Sequence, residues 1–137
     1  MKTFKSKVDV WIVLLMNLSL FLPCIMLIND KSWVGFAIVA VTALSSFYIL
    51  FSFRYYISDT HLVIKISFFT IANIEIHKIK TIEETNTIIS APAASLDRLY
   101  IYYNKYDFAI ISPADKADFI NTLLSINPDI EVIYKNK

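Results

Sequence analysis

Two long uncharged stretches dominate the pattern of hydrophobic and polar positions along the chain. Residues 10–28 form a run of 19 positions without Asp, Glu, Lys or Arg, and residues 33–53 form a second run of 21. At 1.5 Å per residue these runs would make helices about 28 and about 32 Å long, close to the ~30 Å hydrocarbon core of a bilayer. We therefore expect a transmembrane helical hairpin whose two spans are joined by residues 29–32.

Basic residues flank these two runs unevenly. Three lysines precede the first run within the first seven residues, Arg54 and Lys65 follow the second, and Lys31 alone lies between them. Cytoplasmic flanks of membrane spans carry an excess of Lys and Arg. The pattern predicts a multi-pass protein of the cell membrane with both termini in the cytoplasm.

Other interpretations of the first run stay open. Its basic start fits a signal peptide, although 19 residues is a long core and no A-x-A-like cleavage site follows. The segment around Cys24 is similar to a lipoprotein signal, but Pro23 stands where such signals have a small residue. Two buried helices of a soluble protein are a third interpretation, yet the remaining chain is too small to cover two all-round apolar helices.

Residues 54–137 have the mixed pattern of a small folded domain, with 9 basic and 10 acidic side chains. Alternating or β-branched positions predict strands near 56–57, 61–66, 71–76, 85–90, 99–103 and 108–111. Ile76, Ile79 and Ile82 are spaced by three, which indicates either a bulge or a short helical turn. The domain contains no glycine, so Asn104 and Asp107 are the residues best suited to its clearest hairpin turn.

A helix over residues 113–126 is predicted to close the domain. Ser112 is the expected N-cap, Pro113 the first helical residue, and Asn127-Pro128 the end. The apolar stripe of this helix must bury against the sheet. The predicted order is therefore about six antiparallel strands followed by one C-terminal helix.

This order resembles that of a pleckstrin-homology-like (PH-like) domain, and several motifs are similar to the bacterial PH domains of the uncharacterised YyaB-like family. The motifs are, in chain order, Tyr55-Tyr56-Ile57, residues 90–101 with their A-S-x-D-R element, Ile111-Ser112-Pro113, residues 119–123 and Asn127-Pro128. The resemblance covers roughly residues 54–131. It implies a PH-like fold on a membrane anchor and implies no catalytic residues.

The predicted fold class is α+β in two parts. Residues 1–53 are expected to form the transmembrane helical hairpin. Residues 54–137 are expected to form a cytoplasmic PH-like antiparallel β-barrel or sandwich with one C-terminal helix.

Composition narrows the function classes. The chain is 56% hydrophobic and 18% charged, which excludes a disordered protein, and its net charge of +1 argues against a nucleic-acid binder. One cysteine excludes an intramolecular disulfide, and one glycine excludes a Gly-rich phosphate loop. His61 and His77 are 16 residues apart with no cysteine in the domain, so we expect no metal and no cofactor.

Two groups of polar residues are candidate sites. Ser95, Asp97 and Arg98 lie on a loop entering a strand and could contact a ligand or partner; the alternative is that they only stabilise the loop. Ser95 would need a nearby base for catalysis, and the spacing brings neither histidine close, so no enzyme is predicted. The second group could face the anionic inner leaflet, at ~1 kcal/mol per charge, or could be scattered and solvated; it comprises Arg54, Lys65, Lys78 and Lys80.

The sequence thus predicts a non-catalytic, membrane-anchored interaction module. We expect a protein segment or a second copy to bind its sheet edge or loops at the cytoplasmic face of the membrane. The alternative function is binding of anionic lipid head groups through the basic surface.

Overall fold

Two four-stranded sheets form the body of the protein in the computed structural model, which describes residues 1–15, 18, 32–86 and 95–135. A short 3₁₀ turn spans Ile76–Lys78. The helices used below are α1 (Trp33–Phe51) and α2 (Lys116–Ile126). The strands are β1 (Lys2–Lys5), β2 (Phe53–Ile57), β3 (His61–Ile66), β4 (Phe69–Glu75), β5 (Ile79–Thr85), β6 (Arg98–Tyr103), β7 (Asp107–Ile111) and β8 (Glu131–Ile133).

The first sheet has the order β1-β2-β3-β4 and is antiparallel throughout. The second has the order β7-β6-β5-β8, in which β8 runs parallel to β5. Among the described residues the two sheets do not close into a barrel, so the sandwich half of the prediction is the correct one. The parallel strand β8 and the N-terminal strand β1 were not predicted.

β1 joins the start of the chain to the strand that follows the second apolar run. Lys2 lies opposite Ile57 and Lys5 opposite Arg54 in its antiparallel pairing with β2. Phe4 is the one buried residue of β1. Its ring meets that of Phe119 edge to face, with the ring centroids 5.1 Å apart.

α2 closes the core between the sheets. Phe119, Ile120 and Leu123 are buried in one cluster with inward-facing residues of both sheets. The helix begins at Lys116 rather than Pro113, and Asp115 is its N-cap, accepting a hydrogen bond from the Asp118 N–H at 3.0 Å. The predicted start was wrong because residues 112–114 pair with the N-terminal segment instead.

That pairing is made by backbone groups. The Lys7 N–H donates to the Ser112 carbonyl at 2.7 Å, and the Ala114 N–H donates to the Lys5 carbonyl at 2.9 Å. A bridge between Ser6 and Pro113 lies between these two bonds. Residues 5–7 therefore continue from the edge of the first sheet to the end of β7.

α1 is the one helix in the described part of the chain that is long and apolar enough to cross a membrane. Most of its side chains are exposed, and Leu50 is its only buried residue. It ends at Phe51 rather than residue 53, because Phe53 is a buried residue of β2. A helix of this kind near the N-terminus also fits a signal sequence.

The described residues therefore do not show the two helices of the predicted transmembrane hairpin. Residues 10–15 are helical, but most of the predicted first span, residues 16, 17 and 19–28, lies outside the described residues. The described chain supplies one candidate span in place of two. The predicted strand at 85–90 also falls mainly outside the described residues, and the strand seen there, β5, runs from Ile79 to Thr85.

Three of the described turns show how the chain of the domain changes direction without glycine. Asn104 has a φ of 52°, as its tolerance of the left-handed region predicted, and its side-chain amide donates to the Asp107 carboxylate at 2.8 Å. The slip in the isoleucine spacing is explained by the 3₁₀ turn at Ile76–Lys78. Ser67, with a φ of 50°, forms the two-residue β3–β4 turn together with Phe68.

Candidate functional site

The loop before β6 contains the three polar residues singled out in the sequence. Ser95 is fully buried and Arg98 is 5% exposed. The Ser95 hydroxyl accepts a hydrogen bond from the Asp97 N–H at 3.1 Å, and the Arg98 Nε donates to the Ser95 carbonyl at 2.6 Å. Ser95 and Arg98 thus stabilise the loop through these hydrogen bonds inside the domain. Asp97 is the residue of the three whose side chain reaches solvent.

Asp97 connects three distant parts of the chain. One carboxylate oxygen pairs with the Lys7 ammonium at 2.9 Å, and the other pairs with the ammonium of Lys116 at the start of α2. Lys116 also contacts the Glu84 carboxylate of β5 at 3.3 Å. The four side chains form a continuous ionic bridge between the N-terminal segment, β5, the β6 loop and α2.

This bridge shifts the pKa values of its members in opposite directions. Partial burial raises the pKa of Asp97, but hydrogen bonds from Lys116 and Lys7 outweigh it, so the pKa lies below its usual value of 3.8. The hydrogen bond to Asp97 raises the pKa of Lys7 above 10.5. Both groups therefore stay charged at neutral pH.

A shallow groove of about 400 Å³ lies beside the ionic bridge. Its lining mixes charged, apolar and amide side chains, namely Glu84, Asp97, Ala114, Lys116, Ala117, Ile120, Asn121 and Tyr134. The charges in it are already paired with one another, so the groove offers little net attraction for a charged ligand. Its chemistry suits a polar segment that exchanges hydrogen bonds at the rim.

The N-terminal segment is fixed to the domain by buried hydrogen bonds. The Tyr55 hydroxyl donates to the Ser6 hydroxyl at 3.2 Å and accepts from the Ser112 N–H at 3.1 Å. Burial raises the pKa of Tyr55 and keeps this hydroxyl protonated. Asp9 extends the attachment, because its carboxylate accepts from the Leu96 N–H at 3.1 Å. Sequence reasoning missed this attachment.

Two of the four predicted basic residues lie together. Arg54 and Lys65 are direct partners across β2 and β3, and Lys5 of β1 lies on the other side of Arg54. Directly paired residues of an antiparallel sheet share a face, so these three cations form one row across the outer face of the first sheet. We call Lys5, Arg54 and Lys65 the basic row.

The other two predicted basic residues lie elsewhere. Lys78 pairs with the Glu75 carboxylate at 2.8 Å. Glu75 lies opposite His61, at the other end of β3 from Lys65. Lys80 is exposed on β5 in the second sheet. The structure therefore divides the predicted basic surface and adds Lys5 to the part that contains Arg54 and Lys65.

The outer face of the second sheet carries an aromatic cluster. The Tyr100 ring lies 5.7 Å from that of Tyr102 and 5.8 Å from that of Phe108. Phe108 lies on β7, the edge strand of this sheet, and is 54% exposed. Tyrosine and phenylalanine are enriched in protein–protein interfaces. We call Tyr100, Tyr102 and Phe108 the aromatic patch.

The two histidines belong to no group in the described residues that could hold a metal ion. The His61 Nδ1 lies 2.8 Å from the Thr60 hydroxyl. In the described ranges, no three His, Cys, Asp or Glu side chains lie close enough together to hold a metal ion.

The family comparison agrees with this architecture. A model of the bacterial PH domain matches residues 53–127, more than half of the chain, so the chain belongs to the bacterial PH domain family. PH domains are generally non-catalytic modules that mediate protein or lipid interactions. The predicted PH-like resemblance is thereby confirmed, whereas its YyaB-like part is not. Searches of curated proteins and of solved structures gave no match.

Proposed function

We propose that this protein is a membrane-anchored interaction module whose PH-like domain is held against the cytoplasmic face of the membrane by α1. The observation that carries the proposal is the pairing of β1 with β2, because these strands lie on either side of the apolar segment. The exposed apolar surface of α1 supports the same conclusion, since a helix of 19 apolar-rich residues with one buried position needs a non-aqueous environment. The folded unit would then comprise residues 2–9 together with 53–133.

The β1–β2 pairing also constrains the topology. Both ends of the segment between Lys5 and Phe53 belong to one sheet, so they lie on one side of any membrane. A helix of 19 residues is about 28 Å long and crosses a bilayer core once. Flanking Lys5, Lys7 and Arg54 favour the cytoplasm for the shared side.

The aromatic patch is the surface best suited to a protein partner. It borders β7, whose outer edge has no partner strand among the described residues, so an added strand could bind there with its side chains against Tyr102 and Phe108. Asp97 remains a proposed contact in the groove beside the ionic bridge. Ser95 and Arg98 support that contact from inside the loop rather than through their own surfaces.

Binding of anionic lipid is the second candidate function, and the basic row favours it. Three cations share one face at the end of the domain where α1 enters β2. Arg54 is fixed there by hydrogen bonds to the Phe51 and Phe53 carbonyls at 2.8 and 2.9 Å. Each such charge near an anionic leaflet contributes ~1 kcal/mol.

Photo-crosslinking in the native membrane tests the proposed function. A photoreactive residue at Phe108 of the full chain is expected to give one adduct of fixed mass that disappears when Tyr102→Ala is added. Ile133, which is exposed on β8 at the opposite edge of the same sheet, is the matched control. An adduct at Ile133 and none at Phe108 would contradict the aromatic patch. Recovery of the chain in the soluble fraction would contradict the anchor.

A further inference from the structure

The turn between β3 and β4 lies directly beside the end of α1. The Ser67 N–H donates to the Ser52 carbonyl at 3.2 Å, and the Ser67 hydroxyl lies 3.0 Å from the Tyr48 hydroxyl. Tyr48 is four residues before Ser52, so the two bonds attach the turn to the C-terminal end of α1. The turn is therefore in direct contact with the end of the candidate span.

This turn exposes the largest aromatic surface of the first sheet. Phe68 is 92% exposed and Phe69 79% exposed, and Ile71, two residues further, is half exposed. Burying a phenylalanine side chain is favourable, so two adjacent exposed rings need an explanation beyond turn formation. Turn chemistry does not provide it, since the φ of 50° at Ser67 favours glycine and gives no reason for aromatic neighbours.

The surroundings of the turn match the boundary between lipid and water. The basic row lies on the outer face of the same sheet, and Lys65 precedes the turn by two residues. Tyr48 and Phe51 add aromatic side chains at the end of α1, of which the Phe51 ring stacks on Phe47 at 6.5 Å. Aromatic residues at the head-group level, with cations beside them, are typical of segments at a membrane interface.

We propose that the β3–β4 turn is a second membrane contact, in which Phe68 and Phe69 insert into the leaflet adjoining the end of α1. The inference rests on the proposed anchoring role of α1, which fixes the level of the membrane relative to the turn. The inserted rings fix the tilt of the domain, because α1 and the turn are two separate points of attachment. The domain then presents one constant face to the cytoplasm, with the aromatic patch away from the lipid.

Depth-dependent fluorescence quenching tests this contact in the full chain. In a Cys24→Ser background, Phe68→Cys, Phe69→Cys, Ile38→Cys and Tyr106→Cys variants are each labelled with a polarity-sensitive fluorophore and reconstituted into phosphatidylglycerol–phosphatidylethanolamine vesicles. Ile38, in α1, reports the anchor. Tyr106 is the matched control, because it is an 83% exposed aromatic in the β6–β7 turn, beside Lys78 at the far end of β3.

The expected result is a blue-shifted label at Phe68 and Phe69, quenched by nitroxide lipids and shielded from aqueous iodide, with the reverse at Tyr106. A Phe68 label as open to iodide as the Tyr106 label, while the Ile38 label is quenched by lipid, overturns the inference and leaves the anchor intact. Shielding from both quenchers indicates a protein or second copy over the turn and also overturns it. Loss of lipid quenching at Ile38 overturns the proposed function itself.

Discussion

The hydroxyl of Tyr55 accepts a hydrogen bond from the backbone N–H of Ser112 at a distance of 3.1 Å, although the two residues are 57 positions apart. The same hydroxyl donates to Ser6. One buried side chain on β2 thus fixes both the N-terminal segment and the connection that leads into α2. The stability of the domain should depend on this hydroxyl more than on any exposed tyrosine.

A Tyr55→Phe substitution tests that dependence. Removing the oxygen leaves the buried Ser112 N–H unpaired, which should lower the free energy of unfolding by about 1–3 kcal/mol. Denaturant unfolding of the full chain in detergent, followed by near-ultraviolet circular dichroism, measures the change. Tyr56→Phe on the outer face of the same strand is the control and should change the stability by less than ~0.5 kcal/mol. Equal effects of the two substitutions would contradict the role of Tyr55.

A shortened chain tests whether β1 belongs to the folded unit. Residues 10–51 are replaced by about six Gly and Ser residues, which is long enough for ends held in adjacent strands. We expect a soluble monomer that unfolds cooperatively, as judged by gel filtration and thermal circular dichroism. Residues 53–137 alone should unfold at lower temperature, because they lack Phe4 and its contact with Phe119, a loss comparable to the ~3–5 kcal/mol of a buried Phe→Ala change. Identical melting of the two chains would show that β1 is dispensable.

The ionic bridge predicts a pH-dependent effect of Asp97→Asn. The pKa of Asp97 is lower in the folded chain than its usual 3.8, so its contribution is present above pH 3.8 and is lost as pH falls through the folded value. The variant should be about 1 kcal/mol less stable at pH 7, and the two curves should converge below pH 3.8. At the alkaline end, the raised pKa of Lys7 means that its contribution is lost above 10.5.

Asp118→Asn is the matched control for the ionic bridge. Its carboxylate pairs with Lys2 alone, and both side chains of that pair are about half exposed. The control should show a smaller loss at neutral pH. A constant difference between wild type and Asp97→Asn from pH 2 to pH 7 would contradict the linkage argument.

The basic row predicts salt-dependent attraction to anionic vesicles. In the shortened chain described above, Lys5→Gln and Lys65→Gln should each weaken binding to phosphatidylglycerol vesicles by about fivefold at low salt, since each charge contributes ~1 kcal/mol. Lys78→Gln is the control, because this lysine pairs with Glu75 at the far end of β3. Vesicle sedimentation at two salt concentrations measures the effect. Equal weakening by all three substitutions would show that net charge, not the row, attracts the lipid.

Local patterns in the sequence were sufficient for much of the fold. The spacing of apolar side chains identified α2, and the absence of glycine pointed to Asn104 and Asp107 as turn residues, of which Asn104 has the left-handed backbone. The alternation in 61–66 identified β3 with its correct bounds. Each of these features depends on residues close together in the chain, where side-chain period and turn chemistry determine the outcome.

Features that depend on distant pairing were not predictable in the same way. The segment Lys2-Thr3-Phe4-Lys5 has one apolar residue, so its lysines indicated membrane orientation rather than a strand. Residues 5–7, at the end of this segment, pair with residues 112–114, and α2 therefore begins at Lys116. Because the lysines of this segment were interpreted as marks of membrane orientation, Lys5 was absent from the predicted basic surface. The connections of Asp97 to Lys7 and Lys116 likewise span 90 and 19 residues.

The antiparallel contact between Lys5 and Arg54 has a consequence for biogenesis. β1 precedes its partner strand by the whole apolar segment, so the first sheet cannot be completed before that segment has been synthesised. If α1 anchors the chain as proposed, a chain with the two flanks on opposite faces of the membrane would hold Lys2–Lys5 and Phe53–Ile57 in different compartments. Such a chain could not assemble the sheet, and its exposed strands would be open to proteolysis. In a membrane-anchored chain, folding of the domain would thereby act as a checkpoint on insertion.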